Sequence, residues 1–136
     1  MSSWRDMNAL ERRAVPGLTR AGIPLDAGVY ALYRDDAAMY VGKATSLRSR
    51  LWDCHLSTGK SMTNSAMRRN VAQFLEIANA ADIKTRRYLP TDGDARRVSD
   101  WIRECELAWV ECENEPSAKD LEDALKREWK PPLTRI

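Results

Sequence analysis

Two phenols, a guanidinium, an imidazole and a carboxylate stand out in this chain as groups able to work on a phosphate ester: Tyr30, Tyr40, Arg50, His55 and Glu122. Hydrolysing a phosphodiester takes a base for the attacking water, positive charge on the phosphoryl oxygens and help for the departing alkoxide. Arg50 offers a planar fork of donors that meets two phosphate oxygens at once, which lysine does not. A free tyrosine ionises near pH ~10, too high for a base at neutral pH, so either phenol needs a cationic neighbour such as Lys43 or Arg50. In this scheme Tyr30 takes the water proton, Tyr40 orients the water, and His55 serves as acid–base partner or phosphate donor. The two tyrosine roles are interchangeable at this level. His55 is the only histidine, so any imidazole chemistry falls to it. The plain alternative is structural: phenols as hydrophobic cover, a satisfied histidine and a glutamate on a solvated helix.

These groups need elements to position them. Val29 to Arg34 and Ala38 to Gly42 are short runs rich in valine and tyrosine, split by Asp35-Asp36, the pattern of a β-hairpin. Side chains alternate across a strand, so Tyr30 and Tyr40 share a sheet face if the register allows. Thr45 or Ser46 then caps a helix with Leu47, Leu51 and Trp52 on its apolar stripe, Arg48 and Arg50 on different sides, and His55 at its end. Residues 2–14 predict a short helix stopped by Pro16-Gly17. Thr63 or Asn64 caps a further helix with Met67, Val71, Phe74 and Leu75 inside and Arg68, Arg69 and Asn70 on or near the outer face. Ile83 to Leu89 reads as an edge strand or a loop. Asp92 or Asp94 opens another helix, Glu106 to Glu111 alternates as a third strand, and Pro116-Ser117 starts the last helix with Ser117 as N-cap. Leu121, Leu125 and Trp129 form its expected buried stripe, with Glu122 one step off it. The expected fold is α+β: one domain over 1–136, a small three-stranded antiparallel sheet flanked by helices, with an N-terminal helical extension over 1–26 and a helical insertion over 56–104.

Composition narrows the setting. The 136 residues suit one domain, and no apolar stretch is long enough to span a membrane. Three cysteines without Cys-x-x-Cys spacing, and no export signal at the N-terminus, predict free thiols in the cytoplasm and no zinc site. The net charge is only +2, yet Lys43, Arg48, Arg50, Lys60, Arg68 and Arg69 face a single acid, Asp53, between positions 43 and 69. A basic side on a near-neutral chain suits a polyanion, and Lys43, Arg48, Lys60, Arg68 and Arg69 are the expected substrate-binding residues. A solvated charged face accounts for the same count equally well. Gly59-Lys60-Ser61 has the ending of a phosphate-binding loop but lacks its earlier glycine, where Cys54 stands, so nucleotide hydrolysis is discarded.

Gly28-Val29-Tyr30, Tyr40-Val41-Gly42-Lys43, Arg50, His55, Glu122 and Trp129-Lys130-Pro131 together resemble the GIY-YIG nuclease superfamily, in particular the nuclease domain of the bacterial excision-repair incision subunit. The resemblance covers residues 28–55 and 105–134. It implies metal-dependent endonuclease activity on DNA phosphodiester bonds, with Tyr30, Tyr40, Arg50, His55 and Glu122 as catalytic residues. It also implies one Mg²⁺ or Mn²⁺, with Glu122 as its protein ligand and water and phosphate oxygens completing the shell. Two departures stand out. Thr134 occupies the place where many members carry an asparagine, and the gap from Arg50 to His55 is one residue longer than in the family, which predicts a displaced imidazole. Thr134 also motivates the alternative of a catalytically impaired GIY-YIG-fold module that binds nucleic acid without cutting it. A catalytic domain this small needs a homodimer or a targeting partner to choose its site, and the sequence identifies neither.

Overall fold

The computed structural model describes residues 1–136. Helix α1 (Trp4–Asn8) is capped by Ser3, whose side chain accepts the Asp6 N–H. It is shorter than the helix expected over 2–14. The chain straightens after it, and Arg13–Ala14 become a two-residue strand β1, with the Val15 N–H donating to Cys105 O. Trp4 anchors α1 from within: its indole Nε1–H donates to the carbonyls of Leu125 (3.0 Å) and Trp129 (2.9 Å).

The hairpin forms as expected, from β2 (Gly28–Arg34) and β3 (Ala37–Ala44). Asp35 and Asp36 both take left-handed conformations, at φ 50° and 67°. Two such residues make the turn whose twist matches its flanking strands, and aspartate is among the few non-glycine types that tolerate it. Strand β4 (Glu106–Glu111) pairs antiparallel with β2, and the sheet order is β1-β4-β2-β3. The sheet therefore has four strands where three were expected. A two-residue strand is too short to leave an alternating pattern, so β1 has no signature in the sequence.

As a central strand β2 is buried on both faces. Val29, Ala31 and Tyr33 face α1 and the last helix, while Tyr30 and Leu32 join the larger cluster on the other side. Gly28 is fixed by crowding. A Cβ there would stand 2.3 Å from the Val110 carbonyl oxygen and 2.8 Å from Leu47 Cδ1.

The helix expected after β3 begins normally at Leu47 and Arg48 but winds as a π-helix over Ser49–His55, closed by a Leu56 N–H to Leu51 O bond of 2.8 Å. A π-turn holds one residue more than an α-turn. Arg50 and His55 both lie within this winding.

The stretch 56–104 forms α2 (Ala66–Phe74), α3 (Ala80–Lys84) and α4 (Asp92–Arg103). The N-cap of α2 is Ser65 rather than Thr63 or Asn64. Ile83 to Leu89 is the end of α3 and a turn, and α4 opens with a Thr91–Asp94 capping box. The last helix, α5 (Glu115–Glu128), is capped by Asn114 rather than Ser117, with Pro116 in its first turn. Its buried residues are Ala118, Glu122 and Leu125, while Trp129, the C-cap with extended backbone, has left the helix and is 42% exposed. Beyond α5 the chain covers the outer edge of β3, where the Leu133 N–H donates to Met39 O (2.9 Å) and Thr134 Oγ1 accepts the Val41 N–H (3.1 Å). This shields an edge otherwise open to strand addition.

Candidate active site

Leu32 lies opposite Tyr40 and Tyr30 opposite Gly42 in the hairpin register, which puts both tyrosines on one sheet face. Their rings stack at 6.3 Å between centroids. Gly42 makes this possible, because a Cβ there would fall 2.5 Å from Tyr30 Oη and 2.6 Å from Cζ. The π-helical turn brings His55 onto the pair, its ring 5.5 Å from Tyr30 and 6.1 Å from Tyr40. Tyr30 Oη and His55 Nε2 are hydrogen-bonded at 2.6 Å, and His55 Nδ1 is hydrogen-bonded to Ser65 Oγ at 2.7 Å. Tyr30, His55 and Ser65 are all at most 2% exposed.

The charged groups sit at the other end. Arg50 is exposed on the π-helical turn, and its side chain makes no hydrogen bond or ion pair. Glu122 comes from α5, which lies across β2 and β3, and is largely buried. Its Oε2 stands 3.5 Å from Lys126 Nζ. Both charges reach both phenols. Burial pushes Tyr30 well above the ordinary phenol value; Tyr40 adds to the rise, Arg50 opposes it and Glu122 reinforces it. Tyr40 is raised to about 12 by burial and Glu122, against the pull of Arg50 and Arg69. The expected lowering of a phenol by a cation is thus present through Arg50 but outweighed by desolvation, and Lys43 plays no part in it. Burial, together with Arg50, Arg69 and Arg68, lowers His55 to about 3. The imidazole is therefore neutral at physiological pH, which removes it as a cationic phosphate donor.

The family model for the GIY-YIG catalytic domain matches residues 18–135. The chain belongs to the GIY-YIG family. No curated protein and no solved structure matches it significantly. Family membership makes this a nuclease-type catalytic domain with nucleic acid as its class of substrate.

Most of the basic residues expected to grip substrate in this GIY-YIG chain are committed elsewhere. Arg48 Nε–H donates to Ile23 O (2.9 Å), clamping the N-terminal segment. Arg68 is 1% exposed rather than on an outer face, and its Nη groups donate to Ser99 Oγ (3.1 Å) and Gly59 O (3.2 Å). Lys43 pairs with Glu115 at 2.6 Å, and exposed Lys60 lies 3.9 Å from Asp92. Arg69 is held by the Met62 and Thr63 carbonyls yet remains close enough to act on Tyr40 and His55. Arg50 has no side-chain partner, and Lys60 has only its long, exposed ion pair with Asp92. The basic run is a sum of local charges, and the partners of Lys43, Arg48 and Arg68 include groups from distant segments.

No group of three or more histidine, cysteine or acidic side chains converges anywhere in the chain. Glu122 is the one carboxylate whose charge acts on both phenols. A hard cation that keeps most of its water needs no more than one or two carboxylates, so this donor set fits magnesium or manganese and not zinc. The cluster is not a closed hole. A cavity of about 210 Å³ behind His55, lined by Trp52, Arg68 and Ser99, includes none of Tyr30, Tyr40, Arg50 or Glu122.

Two residues near the site had no distinct signal in the sequence. Ser65 contacts His55. Asn70, expected near the outer face of its helix, is buried and donates from Nδ2 to Leu133 O at 2.9 Å.

Proposed function

We propose that this GIY-YIG domain is a metal-dependent endonuclease that hydrolyses DNA phosphodiester bonds. The observation that supports the proposal is the clustering of Tyr30, Tyr40 and His55 in mutual contact, with the charges of Arg50 and Glu122 acting on both phenols. A single magnesium or manganese ion held by Glu122, water and phosphate oxygens would supply Lewis-acid charge neutralisation there. Arg50 binds the phosphoryl oxygens with its fork of donors. Tyr30 in its phenolate form takes the proton of the attacking water, and Tyr40 orients that water. Neutral His55 holds Tyr30 in place from behind. Arg69, beside Tyr40, contributes to the positive field on the phosphate.

The test is nicking of supercoiled plasmid with Mg²⁺ or Mn²⁺. Tyr30→Phe, Arg50→Ala and Glu122→Ala each lose cutting if the site is right; three variants that cut like the parent exclude it. A second reading, a module that binds nucleic acid without cleaving it, draws on Thr134. Its hydroxyl is engaged by the Val41 N–H at the place where the family often has an asparagine. Retardation of DNA without nicking in either metal would favour that reading.

A further inference from the structure

The stretch 56–104 makes a direct hydrogen bond to the site through Ser65. Ser65 Oγ, the N-cap of α2, accepts the Arg68 N–H at 3.2 Å and also lies 2.7 Å from His55 Nδ1. We propose that Ser65 is a positioning residue: its hydroxyl proton goes to His55 Nδ1, which fixes His55 as the Nε2–H tautomer and makes Nε2–H the donor to Tyr30 Oη. The proposal rests on the nuclease reading only for its effect on rate, not for the hydrogen-bond direction itself.

The direction follows from counting protons in a dry place. Ser65, His55 and Tyr30 are each at most 2% exposed, so water does not complete their bonding. Ser65 Oγ already accepts a backbone N–H, and its own proton has one partner within reach, His55 Nδ1. If Nδ1 carried the proton and donated to Ser65, the serine would accept twice and its own proton would be buried without an acceptor. With Nδ1 accepting, the imidazole proton must sit on Nε2, facing Tyr30. The Tyr30 proton then points away from His55 and towards the Tyr40 hydroxyl, to which Tyr30 is hydrogen-bonded.

The consequence concerns the base. A phenolate at Tyr30 receives a charge-assisted bond from His55 Nε2–H, in a place where burial otherwise disfavours it. The opposite tautomer would place an unprotonated Nε2 against the phenolate and offer it no donor. Passing the Tyr30 proton inward to His55 is not a substitute, because burial and three arginines disfavour the imidazolium. A residue of α2 therefore sets the polarity of the catalytic hairpin.

His55 is the only histidine, so a long-range ¹H–¹⁵N spectrum of the labelled protein shows a single imidazole. The expected result at pH 7 is a pyridine-like Nδ1 and a protonated Nε2. A protonated Nδ1, an equal mixture of tautomers or an imidazolium overturns the proposal, whether or not the protein cuts DNA. Ser65→Asp keeps an acceptor for the Arg68 N–H but has no proton to give. It is expected to switch His55 to the Nδ1–H tautomer and to lower kcat roughly tenfold to a hundredfold with KM little changed. Ser65→Thr, which keeps both cap and donor, retains the wild-type tautomer and recovers the lost rate. An aspartate variant that still shows Nε2–H means that something other than Ser65 sets the ring, and the proposal fails. A wild-type spectrum as expected in a protein that never nicks DNA leaves the hydrogen-bond chain standing and rejects the nuclease reading alone.

Discussion

The two ends of the site are built on opposite principles. At one end Tyr30, His55 and Ser65 are dry, neutral and joined by short hydrogen bonds of 2.6 and 2.7 Å. At the other, the Arg50 side chain is exposed without a partner, and the largely buried Glu122 has Lys126 as its ion-pair partner. A dry end suits proton control, because hydrogen-bond direction is enforced only where water cannot intervene. An open end suits recognition of a charged backbone, because a free guanidinium gives up no ion pair when phosphate arrives. The contrast also explains why the long basic run is a poor guide. A cation matters to substrate only if the fold leaves it unspent.

The contrast breaks most sharply at Tyr30. Tyr30→Phe keeps the ring over Gly42 and removes only the oxygen. Plasmid nicking should fall by roughly 10²- to 10⁴-fold, the usual worth of a positioned base. A loss below about tenfold would move the base to Tyr40 or to water.

Arg50→Lys tests the open end next. It keeps the charge but loses the fork, and a drop of roughly 10²- to 10³-fold in kcat is expected, the scale for removing one preorganised donor. Arg48→Lys, at a guanidinium already tied to Ile23 O, should leave nicking within a few-fold and show its effect in thermal stability instead.

Gly42→Ala joins the two ends. Its Cβ would stand 2.5 Å from Tyr30 Oη, so the ring must shift, and denaturant unfolding should show a loss of about 1–3 kcal/mol. Activity should fall further than stability, because the displaced hydroxyl leaves His55 Nε2.

The dry end also predicts an acid dependence of stability. His55 is lowered in the fold from an ordinary 6.5 to about 3, so below pH 6.5 the unfolded chain binds a proton that the native state refuses. Stability is unaffected above pH 6.5, declines as pH falls towards 3, and loses nothing more from this group below that. Urea midpoints across this range should fall less steeply in His55→Gln than in the parent. Equal slopes would mean that the imidazole is hydrated in solution.

Much of this was legible in the chain. The hairpin could be read from two runs around Asp35-Asp36, and β4 from the alternation Leu107, Ala108, Trp109, Val110. The five residues Tyr30, Tyr40, Arg50, His55 and Glu122 could be picked out by type and spacing. Period and turn chemistry are local properties, and local order along the chain carries them. The exposure of those residues was not legible, nor was the π-helical winding that ends at His55.

The sequence by itself determined the hairpin around Asp35-Asp36 and the alternation that lets its two phenols share a face; the register that puts them there, the fourth strand and the crowding at Gly28 and Gly42 belong to the tertiary structure. Tertiary structure alone decided which charges are free, since Arg48, Lys43 and Arg68 meet partners 25, 72 and 31 positions away. It alone brought Ser65 against His55 and covered β3 with the chain's last residues. The physical reason is desolvation: whether a polar group binds water, a carbonyl or a substrate depends on what the folded chain packs over it, and no spacing along the sequence records that.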